Sequence, residues 1–467
     1  MSRSGAASAT TSCTAVSAHW VGPCSAVTPS PLAPVSSLTS VLESVQPNHR
    51  ATPLARDLES ETTVNGKPRF PTGETAVSAP EFPIYDADNH LYESEDALTR
   101  HLPERHRNLF RFVEMKGRKK LVVRDRLTEF IPNPTFEVVA RPGAHMDFYG
   151  ANNPEGKSLR ELTGEPMKAI PAFRRPEPRL ELLDEQGIHA TLMFPTLASL
   201  IEERLLDDPY LTQVALTAFN EWLHDEWSYD HQGRIFATPV VNPCLLDEGI
   251  AELERVIDRG AKAVLLRPAP VSGLRGTRSP FLPEFDPFWA RIQEAGLLVA
   301  LHASDSGYQT YLNTWEGTDG EYVAFKPKTF PAVADDGRAI QDALASAICH
   351  GMLTRFPQVK LISVENGGSW VGHLVRNLEL AYKKMPNEFD EHPRDVFQRN
   401  VWVNPFWEDS VLGLIDLVGA ERVCFGSDYP HPEGLDDPVA WRQEVADLPA
   451  ADVERIMSTN LKALLAA

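Results

Sequence analysis

Past residue 80 the chain alternates short apolar runs with stretches of helical period. The runs are Phe82 to Asp88, His189 to Phe194, Phe236 to Val241, Ala261 to Arg267, Leu297 to Ala303, Lys360 to Glu365, Val401 to Asn404 and Val423 to Asp428. An unbroken run such as Leu297-Leu-Val-Ala-Leu301 suits a strand buried on both faces of a parallel sheet. Between the runs, Leu246 to Arg259 carries Ile250, Leu253, Val256 and Ile257 at helical spacing and stops at Gly260, and Phe285 to Ala295 stops at Gly296. Ala339 to Arg355 and Val371 to Lys384 keep the same period, and Val439 onward supplies the closing helices. Eight strands interleaved with helices predict an α/β fold, the (β/α)8 TIM barrel.

Two stretches fall outside that alternation. Residues of about 100 to 180 intervene between the first and second strands and are expected to form a cap, with Lys119 to Val123 and Thr128 to Ile131 as a small antiparallel pair. Residues 1 to 78 are rich in Ala, Ser, Thr and Pro, hold no Lys before Lys67, and show no sustained apolar period. They are expected to be a disordered tail or a start codon placed too far upstream, with an organellar transit segment as a weaker reading. The barrel domain is then 79 to 467.

Polar residues stand where the apolar runs end. Asp88 and His90 close the first run, two apart and therefore on one face. His302 closes the fifth, Glu365 the sixth and Asp428 the eighth. In a βα barrel the C-terminal strand ends build the site. Imidazole and carboxylate together suit zinc, manganese or iron with a position left open. One divalent ion is therefore expected on Asp88, His90, His302 and Asp428, with zinc or manganese favoured. Asp86 is the competing carboxylate on the first run. A core histidine at His302 and a helix cap at Asp428 are the plainer alternatives.

Several neighbours are less determined. Glu365 is read either as a proton handler or as the partner of an arginine such as Arg267. His431, three residues past Asp428, is expected to contact substrate or orient the aspartate. His350 is assigned to helix contacts rather than the site, and Phe219, Trp222 and Trp227 to a core or subunit face. No G-x-G-x-x-G follows an early strand, which argues against a doubly wound sheet.

Composition narrows the partners. Forty-five basic against 65 acidic side chains give a net charge of −20, which disfavours nucleic acid and anionic membranes. Five cysteines at irregular spacing describe no disulfide framework, so a cytoplasmic setting is expected. No apolar run approaches the roughly 18 residues of a membrane helix.

The segments Asp86-Ala-Asp-x-His90, Phe194-Pro-Thr196, Thr354-Arg-Phe-Pro357, Glu365-x-Gly367 with Trp370, and Gly426-Ser-Asp-Tyr-Pro-His431 resemble the amidohydrolase superfamily. The likeness is to its amidohydrolase-related branch, which contains aminocarboxymuconate-semialdehyde, resorcylate and dihydroxybenzoate decarboxylases. It spans roughly residues 80 to 460 and implies metal ligands at Asp88, His90, His302 and Asp428. It also implies a homodimer acting on a small molecule. Two departures stand out. Asp88 replaces the first histidine of a His-x-His pair, which makes the centre more hospitable to manganese. Glu365 stands where the decarboxylases have a histidine, which weakens decarboxylation.

The expected activity is hydrolysis of a small organic acid, ester, lactone or amide by metal-activated water, with Asp428 as base, Glu365 sharing the proton transfer and His431 beside them. The rivals are non-oxidative decarboxylation of a hydroxylated aromatic or unsaturated acid, and a non-catalytic binding barrel.

Overall fold

The computed structural model describes residues 82–335 and 337–466; the expected tail at 1 to 78 lies outside them. Strands form where the apolar runs stand. Ile84–Asp86 and Ile235–Ala237 both run parallel to Ile188–Pro195. A second parallel sheet follows chain order: Ala263–Leu266, Leu298–His302, Lys360–Val364 and Val401–Val403. Every residue of Leu298–His302 and of Ala263–Leu266 is buried, as strands covered on both faces must be. One parallel bridge, Val240 to Leu265, links the sheets.

The eighth run differs from its expectation. Val423 bridges Val403, the Cys424 amide donates to the Val403 carbonyl at 2.9 Å, and the Ala87 amide donates to the Phe425 carbonyl at 2.8 Å, yet no regular strand forms. Beyond Phe425 the amides of Ser427 and Asp428 both turn to the Asp88 carbonyl, at 3.2 and 2.8 Å. Asp428 itself has φ 54°, a conformation no ladder accommodates.

Helices follow the predicted periods. Leu246–Asp258 buries Leu253 and Val256, Asp286–Ala295 ends at left-handed Gly296, and Trp370–Lys384 buries Val371, Leu374 and Leu378. The single helix expected over Ala339 to Arg355 is two, Arg338–Cys349 and Met352–Arg355, because Gly351 sits at φ 71° between them. Pro209–Trp227, capped by the Asp208 carboxylate on the Leu211 amide, buries Phe219, Trp222 and Trp227 as core.

The insertion holds a three-stranded antiparallel sheet, where the sequence had suggested a pair. Arg118–Val123 lies between Phe110–Met115 and Arg126–Thr128. Lys116 and Gly117, at φ 52° and 72°, make the first turn, the geometry two-residue hairpins favour. The insertion is bonded to the loop after Asp428: the His145 amide donates to the Pro432 carbonyl at 2.7 Å and the Gly143 amide to the His431 carbonyl at 3.3 Å. Among the described residues no helix is long and apolar enough to cross a membrane.

Candidate metal centre

The strand ends bring Asp88, His90, His302, Glu365, Asp428 and His431 together. Potential ligand atoms of Asp88, His90, His302 and Glu365 lie within 4.8 Å of one another, as do those of His90, Glu365, Asp428 and His431. The two Nε2 atoms of His90 and His302 are 3.1 Å apart. Glu365 Oε2 stands 3.2 Å from the first and 3.1 Å from the second. Asp88 Oδ1 is 3.4 and 3.6 Å from them, and Asp428 Oδ1 is 3.5 Å from His90 Nε2.

Each group is aimed by a backbone device. Asp86, buried at the end of the first strand, accepts from the Asp88 amide at 3.0 Å, the Ser427 amide at 3.0 Å, the Ser427 hydroxyl at 2.6 Å and the Asn89 amide group at 3.1 Å. It ties the first run to the last, and Asp88 is the carboxylate of the two that faces the cluster. The buried Arg179 donates to the His90 carbonyl at 2.7 Å and the Ala172 carbonyl at 2.6 Å, and also bonds Asn89 Oδ1. His302 Nδ1 donates to its neighbour's carbonyl, Ala303, at 2.7 Å, so Nε2 keeps its lone pair for the cluster. Glu365 and Asp428 share a left-handed backbone at φ 54°, strain of the kind functional sites retain.

Electrostatics follow from crowding. Burial opposes the charge on Asp88, but hydrogen bonds to His302 and His90 hold its carboxyl down at about 2. Burial likewise opposes protonation of His90, and Asp88 and Glu365 overcome it, raising the imidazole to about 9. Burial, then the Glu365 charge, pushes Asp428 well above the carboxylate range. Burial, with His90 and His302 nearby, holds His431 well below the ordinary histidine value and hence neutral. His431 Nδ1 lies 2.7 Å from Asp428 Oδ1, and its Nε2 is 3.0 Å from the Thr196 hydroxyl.

Other expectations are corrected. Arg267 does not meet Glu365; it is buried against the Glu203 carboxylate at 2.8 Å and the Asp305 carbonyl at 2.9 Å, partners that were not visible as neighbours in sequence. His350 keeps to helix contacts: it is exposed and bonded to Ser346, one turn back, at 2.9 Å. Trp370 turns its indole to the Gly367 carbonyl at 2.8 Å. The walls are Phe194, 4.4 Å from the His302 ring, and Phe325, 5.2 Å from His431. Glu433 was missed. It lines two of the three cavities that reach Glu365, of about 80 and 220 Å³. Its only sequence signal is its place in the proline-rich loop after Asp428.

Comparison with known proteins places this arrangement. An amidohydrolase family model matches residues 171–466, more than half of the chain and including His302, Glu365 and Asp428. A crystal structure of an amidohydrolase from Mycobacterium avium subsp. paratuberculosis K-10 is 36% identical, with a TM-score of 0.79, covering 83% of this chain and 98% of that one. Two further structures share the fold at a TM-score of 0.50 each. One is a dihydroxybenzoic acid decarboxylase from Polaromonas sp. JS666 with bound manganese, 17% identical over 69% of this chain and 93% of its own. The other is a 5-carboxyvanillate decarboxylase from Novosphingobium aromaticivorans DSM 12444, also with manganese, 13% identical over 83% and 98%. On the family match and on a likeness that spans nearly all of a solved relative, this chain belongs to the amidohydrolase family.

Proposed function

We propose that this chain is a metal-dependent hydrolase of a small molecule, and that its strands close into an eight-stranded barrel through the 423–428 segment. Asp88, His90, His302 and Asp428 would hold one divalent ion, with Glu365 a further carboxylate in reach. The observation that carries this reading is the pair of imidazole Nε2 atoms 3.1 Å apart, with carboxylate oxygens of Asp88, Glu365 and Asp428 each within 3.6 Å of one or both. Two imidazoles and three carboxylates gathered at one buried point make up the donor set of a divalent cation. The carboxylate-rich donor set favours manganese over zinc. When bound, such an ion polarises a carbonyl oxygen and lowers the pKa of water.

The remaining chemistry belongs to the side chains. With positive charge in the cluster, Asp428 recovers its ionised form and takes the proton from the attacking water, then delivers it to the leaving group. His431 stays neutral, holds Asp428 through Nδ1 and is itself held by the Thr196 hydroxyl. Glu365 accepts the second hydrogen of the attacking water. Phe194 and Phe325 keep bulk solvent out.

Hydrolysis and decarboxylation separate by isotope. Turnover of a panel of small esters, lactones and amides in water enriched in oxygen-18 should place one heavy oxygen in the acid product. Release of carbon dioxide from aromatic acids, with no hydrolysis of the panel, would assign the rival reaction.

A further inference from the structure

The short helical turn Ala198–Leu200, which follows the second strand, begins without a cap of its own. Leu197 precedes it and offers no side-chain acceptor to the open amides there. Glu93, three residues past His90, supplies one from elsewhere in the chain. Its Oε1 accepts the Leu197 amide at 2.7 Å and the Ala198 amide at 3.0 Å, and the residue is wholly buried. Its neighbour Tyr92 is held at both ends, the amide on the Phe173 carbonyl at 2.8 Å and the hydroxyl on the Pro430 carbonyl at 3.2 Å, so the Glu93 carboxyl is aimed from a fixed backbone. A serine or aspartate at the start of the turn would cap it without burying a carboxyl. Burial pushes this one up to about 7, against the pull of the two amides. Oε1 accepts in either protonation state, so the cap does not depend on charge.

What Glu93 holds is the residue just before those amides. The Leu197 N–H belongs to the peptide plane that Thr196 begins, so fixing that plane fixes the threonine Cα. The buried Thr196 hydroxyl donates to the Leu91 carbonyl at 2.9 Å, and the same oxygen stands 3.0 Å from His431 Nε2 and 3.5 Å from His90 Nδ1. The two imidazoles lie with ring centroids 3.9 Å apart, so one oxygen borders both. His90 faces the cluster with Nε2 while Nδ1 faces Thr196, and His431 passes the contact on to Asp428 Oδ1 at 2.7 Å. Support of this kind behind a ligand sets its orientation.

We infer that Glu93 is a positioning residue of the metal centre: by holding the Leu197 and Ala198 amides it fixes the Thr196 hydroxyl, and through that hydroxyl the His90 and His431 rings. This rests on the metal-centre reading of the same cluster and adds to it a residue that touches none of the proposed ligands through its side chain.

The unaltered full chain, Glu93→Gln, Glu93→Ala, Thr196→Val and the Glu93→Ala/Thr196→Val double variant are compared for manganese affinity by calorimetry, for the visible absorption of their cobalt-substituted forms and for melting temperature. Glu93→Ala should bind manganese about tenfold more weakly and shift the cobalt bands. Glu93→Gln keeps an oxygen for both amides and should restore the bands and bring the affinity back to within about threefold. Thr196→Val should reproduce the loss, and the double variant should be no weaker than the weaker single one, since both changes break the same link. Affinity and bands unchanged in Glu93→Ala, whatever its melting temperature, would make Glu93 an ordinary helix cap and overturn the proposal, as would additive losses in the double variant. Should Glu93→Ala not fold, a folded Thr196→Val with unchanged affinity and bands overturns it alone. An unaltered chain that takes up neither ion fails the metal-centre reading itself, and this proposal with it.

Discussion

Adding one methyl group at Gly426 should loosen the metal site without touching a ligand. Gly426 lies between Asn404 and Asp88, and a Cβ built on it falls 2.7 Å from Asp88 Cβ, 2.5 Å from Asn404 Nδ2 and 2.8 Å from Asn404 Cγ. Ordinary carbon contacts begin near 3.5 Å, so Asp88 must retreat by roughly an ångström. Asn404 offers no relief, since its side chain is buried and its Nδ2 donates to the Pro405 carbonyl at 3.2 Å. Overfilling a tight site costs about 1–3 kcal/mol, and displacing a ligand's support typically lowers metal affinity by about 10- to 100-fold. Gly426→Ala should therefore bind manganese roughly 10- to 100-fold more weakly and melt several degrees lower. Gly320→Ala serves as control, because nothing lies within 4 Å of the added carbon. Titration of the apo forms with manganese, followed by calorimetry and thermal melts, measures both quantities. Unchanged affinity and melting in Gly426→Ala would refute the placement of Asp88 by this close approach.

Two further predictions concern the cap and the loop facing it. Burial holds the His145 imidazole down at about 4, against about 6.5 when unfolded. The unfolded chain therefore binds the extra proton first: stability is full above pH 6.5 and falls toward pH 4, by up to about 3 kcal/mol. His145→Asn should flatten that part of the melting profile, and an identical acid limb in the variant would contradict the assignment. Arg204, in the helix Ile201–Arg204 that follows the second strand, joins Asp305 and Glu321 at 2.8 Å each, holding the 303–335 segment against that helix. Arg204→Met should cost about 2 kcal/mol of local stability and accelerate protease cleavage within 303–335 by about thirtyfold; an unchanged cleavage rate would show that the pair does not hold the segment.

Sequence periodicity reached furthest where one physical effect dominates. The run Leu297 to Leu301 can only be a buried strand, and the histidine that ends it is found in the cluster. The end of the chain was harder to read, because Val423 to Asp428 looks like its predecessors while Gly426 and left-handed Asp428 divert its hydrogen bonds to Asp88. Phe110–Met115 escaped notice since Arg111 and Glu114 interrupt its apolar residues on a half-exposed sheet. Asp88 shares a face with His90 as the two-residue spacing implies, but the four-bond knot at Asp86 depends on Ser427, 341 residues away. Thr196 was visible only as part of a family segment; its contact with His431 gives it a task. Glu433 carries no periodic signal, because loops answer to tertiary contacts such as those with the cap.

Metal content tests the central claim most directly. The purified chain and His302→Ala, each saturated with manganese or zinc and freed of excess, are analysed by plasma mass spectrometry. The account predicts about one ion per chain, manganese preferred in competition, and loss of it in the variant. A chain that retains no ion, or a variant that holds it as firmly as the parent, would contradict the assignment of Asp88, His90, His302 and Asp428 as one metal centre.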